Sequence, residues 1–205
     1  MGFYERRVLP WVIHLACSAR PIAKQRAKVI PFARGRVLEI GIGSGLNLPF
    51  YDAARVERLL GLDPSPQMRR MAAKAAARAA FDVDFVSTSS EEIALDDESV
   101  DTVVTTYTLC TIPDAVRALR ETARVLKPGG RLLFCEHGLA PDASVRRWQH
   151  RANTWWGRIG GGCNLDRDIP ALLKDGGFRV ERLETAYVAG WRPASFTYWG
   201  SATPG

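Results

Sequence analysis

The stretch Val37-Leu38-Glu39-Ile40-Gly41-Ile42-Gly43-Ser44-Gly45-Leu46-Asn47 runs an apolar strand into an acidic residue and then into three glycines at alternate positions. Glycine lacks a Cβ, so such a loop takes positive φ and lets a nucleotide-like group approach free backbone amides. A second acidic position follows. Gly61-Leu62-Asp63-Pro64 reads as the end of the next strand, and Asp63 falls about 20 residues after the glycines, where a carboxylate accepts both hydroxyls of a ribose.

The glycine spacing separates two classes of nucleotide loop. A dinucleotide fingerprint wants glycine at the sixth position of G-x-G-x-x-G, but the sixth residue from Gly41 is Leu46, and the third glycine sits one residue early at Gly45. This G-x-G-x-G form, preceded by Glu39, resembles motif I of the class I S-adenosylmethionine-dependent methyltransferases. The resemblance implies that Gly41, Gly43 and Gly45 pack against the methionine part of S-adenosylmethionine, that Glu39 helps hold its amino group and that Asp63 binds its ribose. It further assigns Asn47, Pro64, Met68 and Thr106 to the cofactor wall. The adenine site implied after the third strand falls on Ser89, Ser90 and Glu91, with the Ser90 amide in the contacting role because serine replaces the usual aspartate at Ser89. A nicotinamide or flavin protein, or a simple tight turn, is the competing reading of the loop.

Two further stretches extend the resemblance. Asp96-Asp97-Glu98-Ser99-Val100-Asp101-Thr102-Val103-Val104 looks like the acidic turn and fourth strand of these enzymes, and Arg124-Val125-Leu126-Lys127-Pro128-Gly129-Gly130 like the turn before the fifth. Thr106-Tyr107-Thr108-Leu109-Cys110, Phe134-Cys135-Glu136-His137 and Gly162-Cys163-Asn164-Leu165-Asp166-Arg167 resemble a narrower group, the alkyl thiol S-methyltransferases, over about residues 36 to 185. That group carries a hydrophobic membrane anchor at its front. Here the apolar run Val8 to Cys17 is short and interrupted by Pro10 and His14, too short for the roughly 20 residues of a spanning helix and unlike a secretory signal.

The chain has 205 residues, 46% of them hydrophobic, enough to bury one core with little room for a second domain. The expectation is a single methyltransferase domain over 1–205, with a helical N-terminal arm or lid at 1–35 and a cofactor-binding core at 36–205. The fold expected is α/β, a doubly wound Rossmann-like sheet of seven strands. The strands are read at Arg36–Ile40, Arg58–Leu62, Val83–Ser87, Val100–Thr105, Arg131–Cys135, Phe178–Leu183 and Phe196–Ser201. A helix is expected from near Leu46 and Asn47. Another follows Ser65 as N-cap and Pro66 as first helical residue, over Gln67–Ala80, and a third follows Asp114 with Val116, Leu119, Ala123 and Leu126 on one face.

Lys and Arg total 28 against 22 Asp and Glu, a net charge of +6. Arg6, Arg7, Arg20, Lys24, Arg26, Lys28, Arg34 and Arg36 place much of the excess in the arm. Such an arm serves as a solubilised helical face, or meets an anionic membrane or an acidic substrate. No basic stripe interleaved with aromatics outside the arm points to nucleic acid. Cys17, Cys110, Cys135 and Cys163 are widely spaced without C-x-x-C or clustered histidines, so neither a metal site nor a disulfide framework is expected, and a reducing cytoplasm is the expected home, with peripheral membrane contact left open.

In an open α/β sheet the ligand lies at the carboxyl ends of the strands, which selects Tyr107, Thr108 and Cys110 after the fourth strand and Glu136 and His137 after the fifth. His137 is the first candidate for a general base, or else a histidine holding a loop carbonyl. Tyr107 orients the acceptor or lines the pocket. An insertion at about 138–168 holds Trp148, Trp155, Trp156, Gly160-Gly161-Gly162 and Asn164 and reads either as an acceptor lid or as core packing. The acceptor pocket is thus assigned to Trp11, Tyr107, Cys110, His137, Trp148 and Asn164, with Asp166 either facing the acceptor or capping a helix from near Ile169. The function expected is methylation of a small apolar acceptor, first a thiol. The alternatives are N-methylation of a phosphatidylethanolamine-like amine, O- or C-methylation of a quinone-like ring, or a non-catalytic S-adenosylmethionine-binding module. Monomer and homodimer stay equally open.

Overall fold

The computed structural model describes residues 7–205, so Arg6 of the basic arm lies outside the described residues. Seven strands form one sheet: β1 (Gly35–Ile40), β2 (Val56–Leu62), β3 (Asp82–Val86), β4 (Val100–Thr106), β5 (Leu126–His137), β6 (Phe178–Tyr187) and β7 (Phe196–Pro204). Their order is β3-β2-β1-β4-β5-β7-β6. The first five are parallel, and β7 runs antiparallel between β5 and β6. The strand order reverses between β1 and β4, which opens a crevice at their carboxyl ends.

The sheet is buried on both faces, as the near-continuous apolar strands require. Side chains alternate across it: Leu38, Ile40, Val103, Leu132 and Phe134 pack on one side, and Val37, Val104, Leu133 and Cys135 on the other. Among the described residues six α-helices accompany it: α1 (Leu9–Cys17), α2 (Arg20–Arg26), α3 (Pro66–Ala76), α4 (Ala115–Val125), α5 (Ala143–Ile159) and α6 (Ile169–Asp175).

Two helix starts lie where the sequence puts them. Ser65 Oγ accepts from the Met68 amide at 3.3 Å, and Asp114 Oδ1 accepts from the Arg117 amide at 3.0 Å. Each such cap is worth about 0.5–2 kcal/mol. On α4 the buried line is Ala115, Ala118, Leu119, Thr122 and Val125, rotated from the expected Val116-led face.

Several expectations are corrected. No α-helix begins at Leu46. A 3-10 turn spans Leu48–Phe50 instead, and Tyr51 is already extended at ψ 138°. β5 begins at Leu126, five residues before the expected Arg131, and takes the Lys127–Gly130 segment into an irregular ladder against β4. The cap of α6 is Asp168, whose Oδ1 accepts from the Ala171 amide at 3.1 Å. Asp166 instead meets His150 Nδ1 at 2.6 Å and Asn153 Nδ2 at 2.8 Å.

Candidate active site

The crevice between β1 and β4 opens into a cavity of about 1580 Å³. That exceeds the roughly 300–1,000 Å³ usual for one small ligand and leaves room for a cofactor and an acceptor together. Its floor is the glycine loop. Gly41 needs its positive φ of 71°, and an added Cβ there would collide with the Thr108 side chain. Gly43, at φ 55°, is roomier: a Cβ there would meet the Gly41 carbonyl oxygen at an ordinary 3.8 Å. Gly45 departs from expectation: it does not line the cavity, and a Cβ there would press on Ala75, Leu48 and Ala72. It is glycine so that α3 can pack beneath the loop.

Beneath that loop lies a buried polar network. Glu39, 1% exposed, accepts from Tyr51 Oη at 2.6 Å and from Asn47 Nδ2 at 2.9 Å. Asn47 Nδ2 also donates to Thr106 Oγ1 at 2.9 Å, and its Oδ1 accepts from Arg26 Nε at 2.8 Å. Arg26 is itself buried and donates through Nη1 to the Cys17 carbonyl at 2.7 Å, which ties the end of α1 to the cofactor floor. His14 Nδ1 lies 2.7 Å from Ser44 Oγ, a second tie from the arm. The solubilised-face reading of the arm therefore fails for Arg26. Tyr51 and Arg26 carried no sequence signal, because their partners lie 12 and 21 residues away.

Burial pushes the Glu39 carboxyl up to about 7, against the donors Tyr51 and Asn47 and the nearby Arg26 guanidinium. Folding thus raises this group from its ordinary 4.5, so its contribution to stability is full below that value and is lost as pH rises through about 7. A cation held beside it reverses the preference. If Glu39 meets the cofactor ammonium, S-adenosylmethionine affinity rises with pH between about 6 and 8, by up to about tenfold per unit below the Glu39 pKa, with proton release on binding. Calorimetry in buffers of different ionisation enthalpy measures this. Affinity that is flat with pH and takes up no buffer heat would remove Glu39 from the cation site.

Asp63 stands at the end of β2, 8% exposed, with Oδ2 accepting from the Gly43 amide at 3.0 Å and Oδ1 from the Ser65 amide at 2.8 Å. A carboxylate offers about four lone-pair sites, so two stay free for hydroxyls. Pro64, Met68, Ser89, Ser90, Glu91 and Thr106 line the same cavity, together with Glu39, Gly41, Gly43 and Asn47.

The acceptor side differs more from expectation. Tyr107 lines the cavity with a positive φ of 54°, unusual for a bulky residue and a mark of backbone strain held at a site. Its hydroxyl is buried without a hydrogen-bond partner, and burial raises its pKa far above the ordinary phenol value. The Arg26 guanidinium lies 5.5 Å from its ring centroid. Trp11 lines the cavity from α1 although 58% exposed. Trp148 is corrected: it is 61% exposed and outside the cavity. Trp155 and Trp156 pack against each other and against Trp191. Of the expected lid, Gly161 and Gly162 reach the cavity wall. Asn164 does not line it either. Its Nδ2 donates to the carbonyls of Cys110 and Gly162, both at 3.0 Å, stitching the insertion to the loop after β4.

His137 and Cys110 are also absent from the wall. His137 is buried, and its Nε2 lies 3.1 Å from Cys163 Sγ. Burial presses its pKa down, but Cys163 and Glu136 outweigh this and raise it. The ring therefore has a cysteine partner and no face on the cavity, which removes it from the position of a direct base. Cys110, His137 and Cys163 gather here although 27 and 26 residues separate them in sequence. The expectation of no metal cluster read spacing alone and missed this convergence.

Two clamps hold the acceptor side together. Arg167 Nη2 donates to the Ile112 carbonyl at 2.6 Å, and its Nη1 to that of Leu109. Gln149, fully buried, donates to the carbonyls of Gly138, Leu165 and Pro193 and accepts from the Ala140 amide.

Residues 38–134 match the family model described as a methyltransferase domain. The chain is 32% identical over 166 residues to the thiol S-methyltransferase TMT1B of Rattus norvegicus, covering 79% of this chain and 65% of that protein. The chain belongs to the class I methyltransferase family. To the human thiol S-methyltransferase TMT1A it is 33% identical, covering 75% of this chain and 64% of that one. The chain thus spans just under two thirds of the length of these relatives. A crystal structure of an S-adenosylmethionine-dependent methyltransferase from Thermotoga maritima shares the fold at a TM-score of 0.68, with 22% identity and 98% of each chain covered. The methyl donor of this family is S-adenosylmethionine. The residues fit it: two spare carboxylate sites on Asp63, a buried acid at Glu39 and an open backbone at Gly43.

Proposed function

We propose that this methyltransferase methylates the thiol sulfur of a small apolar acceptor. The observation that carries the reading is the identity of 32–33% to two thiol S-methyltransferases across three quarters of the chain. The apolar side chains that α1 lends to the cavity, Leu9, Trp11 and Ile13, support an apolar acceptor. S-adenosylmethionine supplies a methyl group on a sulfonium, open to in-line attack. The protein's share is to hold the donor on Glu39, Asp63 and the glycine loop, and to hold the acceptor beside Tyr107 with its sulfur lone pair free. Positioning of this kind is worth up to about 7–11 kcal/mol of barrier.

The four cysteines of the described chain are unpaired, in keeping with work in a reducing cytoplasm. No helix among the described residues is long and apolar enough to cross a membrane. Trp11, Val12 and Leu15 on α1 and the basic Arg20 and Lys24 on α2 are exposed, which suits a peripheral membrane foot.

The test is mass-spectrometric methyl transfer from deuterium-labelled S-adenosylmethionine to an alkyl thiol, its alcohol and amine analogues, and phosphatidylethanolamine vesicles. Labelled thioether from the thiol alone is the expected outcome. Label on the lipid amine or the alcohol displaces the thiol reading, and cofactor binding without label on any acceptor favours a binding module.

A further inference from the structure

Sulfur and imidazole donors from three separate segments converge behind the acceptor wall. Cys110 comes from the loop after β4, His137 from the end of β5, and Cys163 from the glycine-rich turn after α5. Their ligand atoms all lie within 4.8 Å of one another. The positions adjoin the cavity in sequence and space: Thr108 and Thr111 flank Cys110 on the wall, and Gly162 precedes Cys163 there.

Ordinary core packing does not explain the group. A small buried cysteine needs no polar neighbour, and burying an imidazole is costly unless it gains a partner. His137 Nδ1 has no hydrogen-bond partner, so the polar contact that orients the ring is the one Nε2 makes with Cys163. Trp156 Nε1 also donates to Cys163 Sγ, at 3.4 Å. The sulfur is thus surrounded by groups that favour its thiolate, the form that binds metals.

We propose that Cys110, His137 and Cys163 form a binding site for a thiophilic divalent cation of the zinc class. Two thiolates and one neutral imidazole around a divalent ion sum to zero charge, which suits a buried location. Zinc–sulfur bonds of about 2.3 Å and a zinc–nitrogen bond of about 2.0–2.1 Å in a tetrahedron put ligand atoms about 3.5–3.8 Å apart. The observed Nε2–Sγ distance of 3.1 Å opens to that by a shift of a few tenths of an ångström at Cys163, which lies beside two flexible glycines. Glu136 does not belong to the group of converging ligand atoms, and its carboxylate faces the Thr108 amide instead.

Three protein ligands leave a fourth position open. None of the three ligands lines the cavity that holds donor and acceptor, so water would take that position, and the ion would fix the turn after α5 to the ends of β4 and β5 behind the acceptor wall.

The test uses the full chain, fully reduced, stripped with a chelator and titrated with cobalt(II) and then zinc(II), without S-adenosylmethionine or acceptor. One cobalt per chain, with visible bands of tetrahedral cobalt, thiolate charge-transfer bands and displacement by zinc, is expected. Cys110→Ser and Cys163→Ser should each weaken zinc binding by more than about 100-fold, beyond the 10–100-fold of an outer-layer change. Cys135→Ala should leave it unaltered. Metal-free Cys163→Ser should keep the wild-type unfolding temperature and S-adenosylmethionine affinity, so that loss of metal is not loss of fold. No stoichiometric uptake by the reduced protein, or full uptake by Cys163→Ser, overturns the site.

Discussion

Asp63→Ala is expected to weaken S-adenosylmethionine binding by roughly 10²–10⁴-fold. The carboxylate is fixed by the Gly43 and Ser65 amides at 3.0 and 2.8 Å, and Asp63 lines the cavity with two lone-pair sites left over. Two hydrogen bonds from ribose hydroxyls to a charged acceptor are worth about 1.5–3 kcal/mol each, or about 3–6 kcal/mol together, and each 1.4 kcal/mol is tenfold in affinity. Burial is the largest influence on this carboxyl and raises its pKa, opposed by the two amides and by Arg69. It is thus desolvated before the cofactor arrives, and less is lost when a hydroxyl replaces water. Calorimetry measures the change. A cofactor analogue lacking the ribose hydroxyls should lose affinity for the wild type but not for Asp63→Ala, which separates the ribose contact from general loosening of the loop. Equal affinities of wild type and variant would mean that the cofactor lies elsewhere in the cavity.

Arg26→Ala should destabilise the protein by about 3–5 kcal/mol, the range for removing one member of a buried charged network. The guanidinium is 4% exposed and satisfies two buried acceptors, Asn47 Oδ1 and the Cys17 carbonyl. Its loss strands both and removes the positive charge that helps keep Glu39 ionisable. For a chain of this size each kcal/mol moves the unfolding temperature by about 2–4 °C, so a fall of about 6–20 °C is expected. Proteolysis within α1 and α2 should also quicken, because among the described residues the polar tie that remains between α1 and the cofactor floor is His14 with Ser44. Arg26→Lys should recover part of the loss, since one ammonium cannot span both acceptors with the same geometry. An unfolding temperature within about 2 °C of the wild type in Arg26→Ala would show that the arm is held by its apolar contacts instead.

The cofactor half of the site was legible because its signals are local. Gly41 and Gly43 are needed by one tight loop, Glu39 ends the strand that enters it, and Asp63 ends the neighbouring strand, so each sits where a short-range backbone rule puts it. The helix starts at Ser65 and Asp114 were readable for the same reason, as a cap acts on an amide three residues away. The missing helix at Leu46 is the instructive failure. Asn47 is spent on Glu39, Thr106 and Arg26, and Tyr51 is drawn out to Glu39, so long-range polar contacts outweigh a local helical start.

The acceptor half was less legible, because it is made of segments that meet only after folding. Residue type alone put Trp148 and Asn164 in the pocket. The fold leaves Trp148 in solvent and commits Asn164 to the Cys110 and Gly162 carbonyls. Cysteine spacing argued against a metal cluster, yet the convergence of the β4 and β5 ends with the turn after α5 gathers Cys110, His137 and Cys163.

Sequence by itself determined the sheet, the glycine loop and the acidic residues around the donor, since alternation, caps and turns act over a few residues. Only the tertiary structure decided which residues face the acceptor, that Arg26 is a buried tie between arm and floor, and that His137 faces sulfur instead of the cavity. Those outcomes depend on which distant segments share space, and a buried polar group must take whatever partner the packing of the whole chain puts beside it.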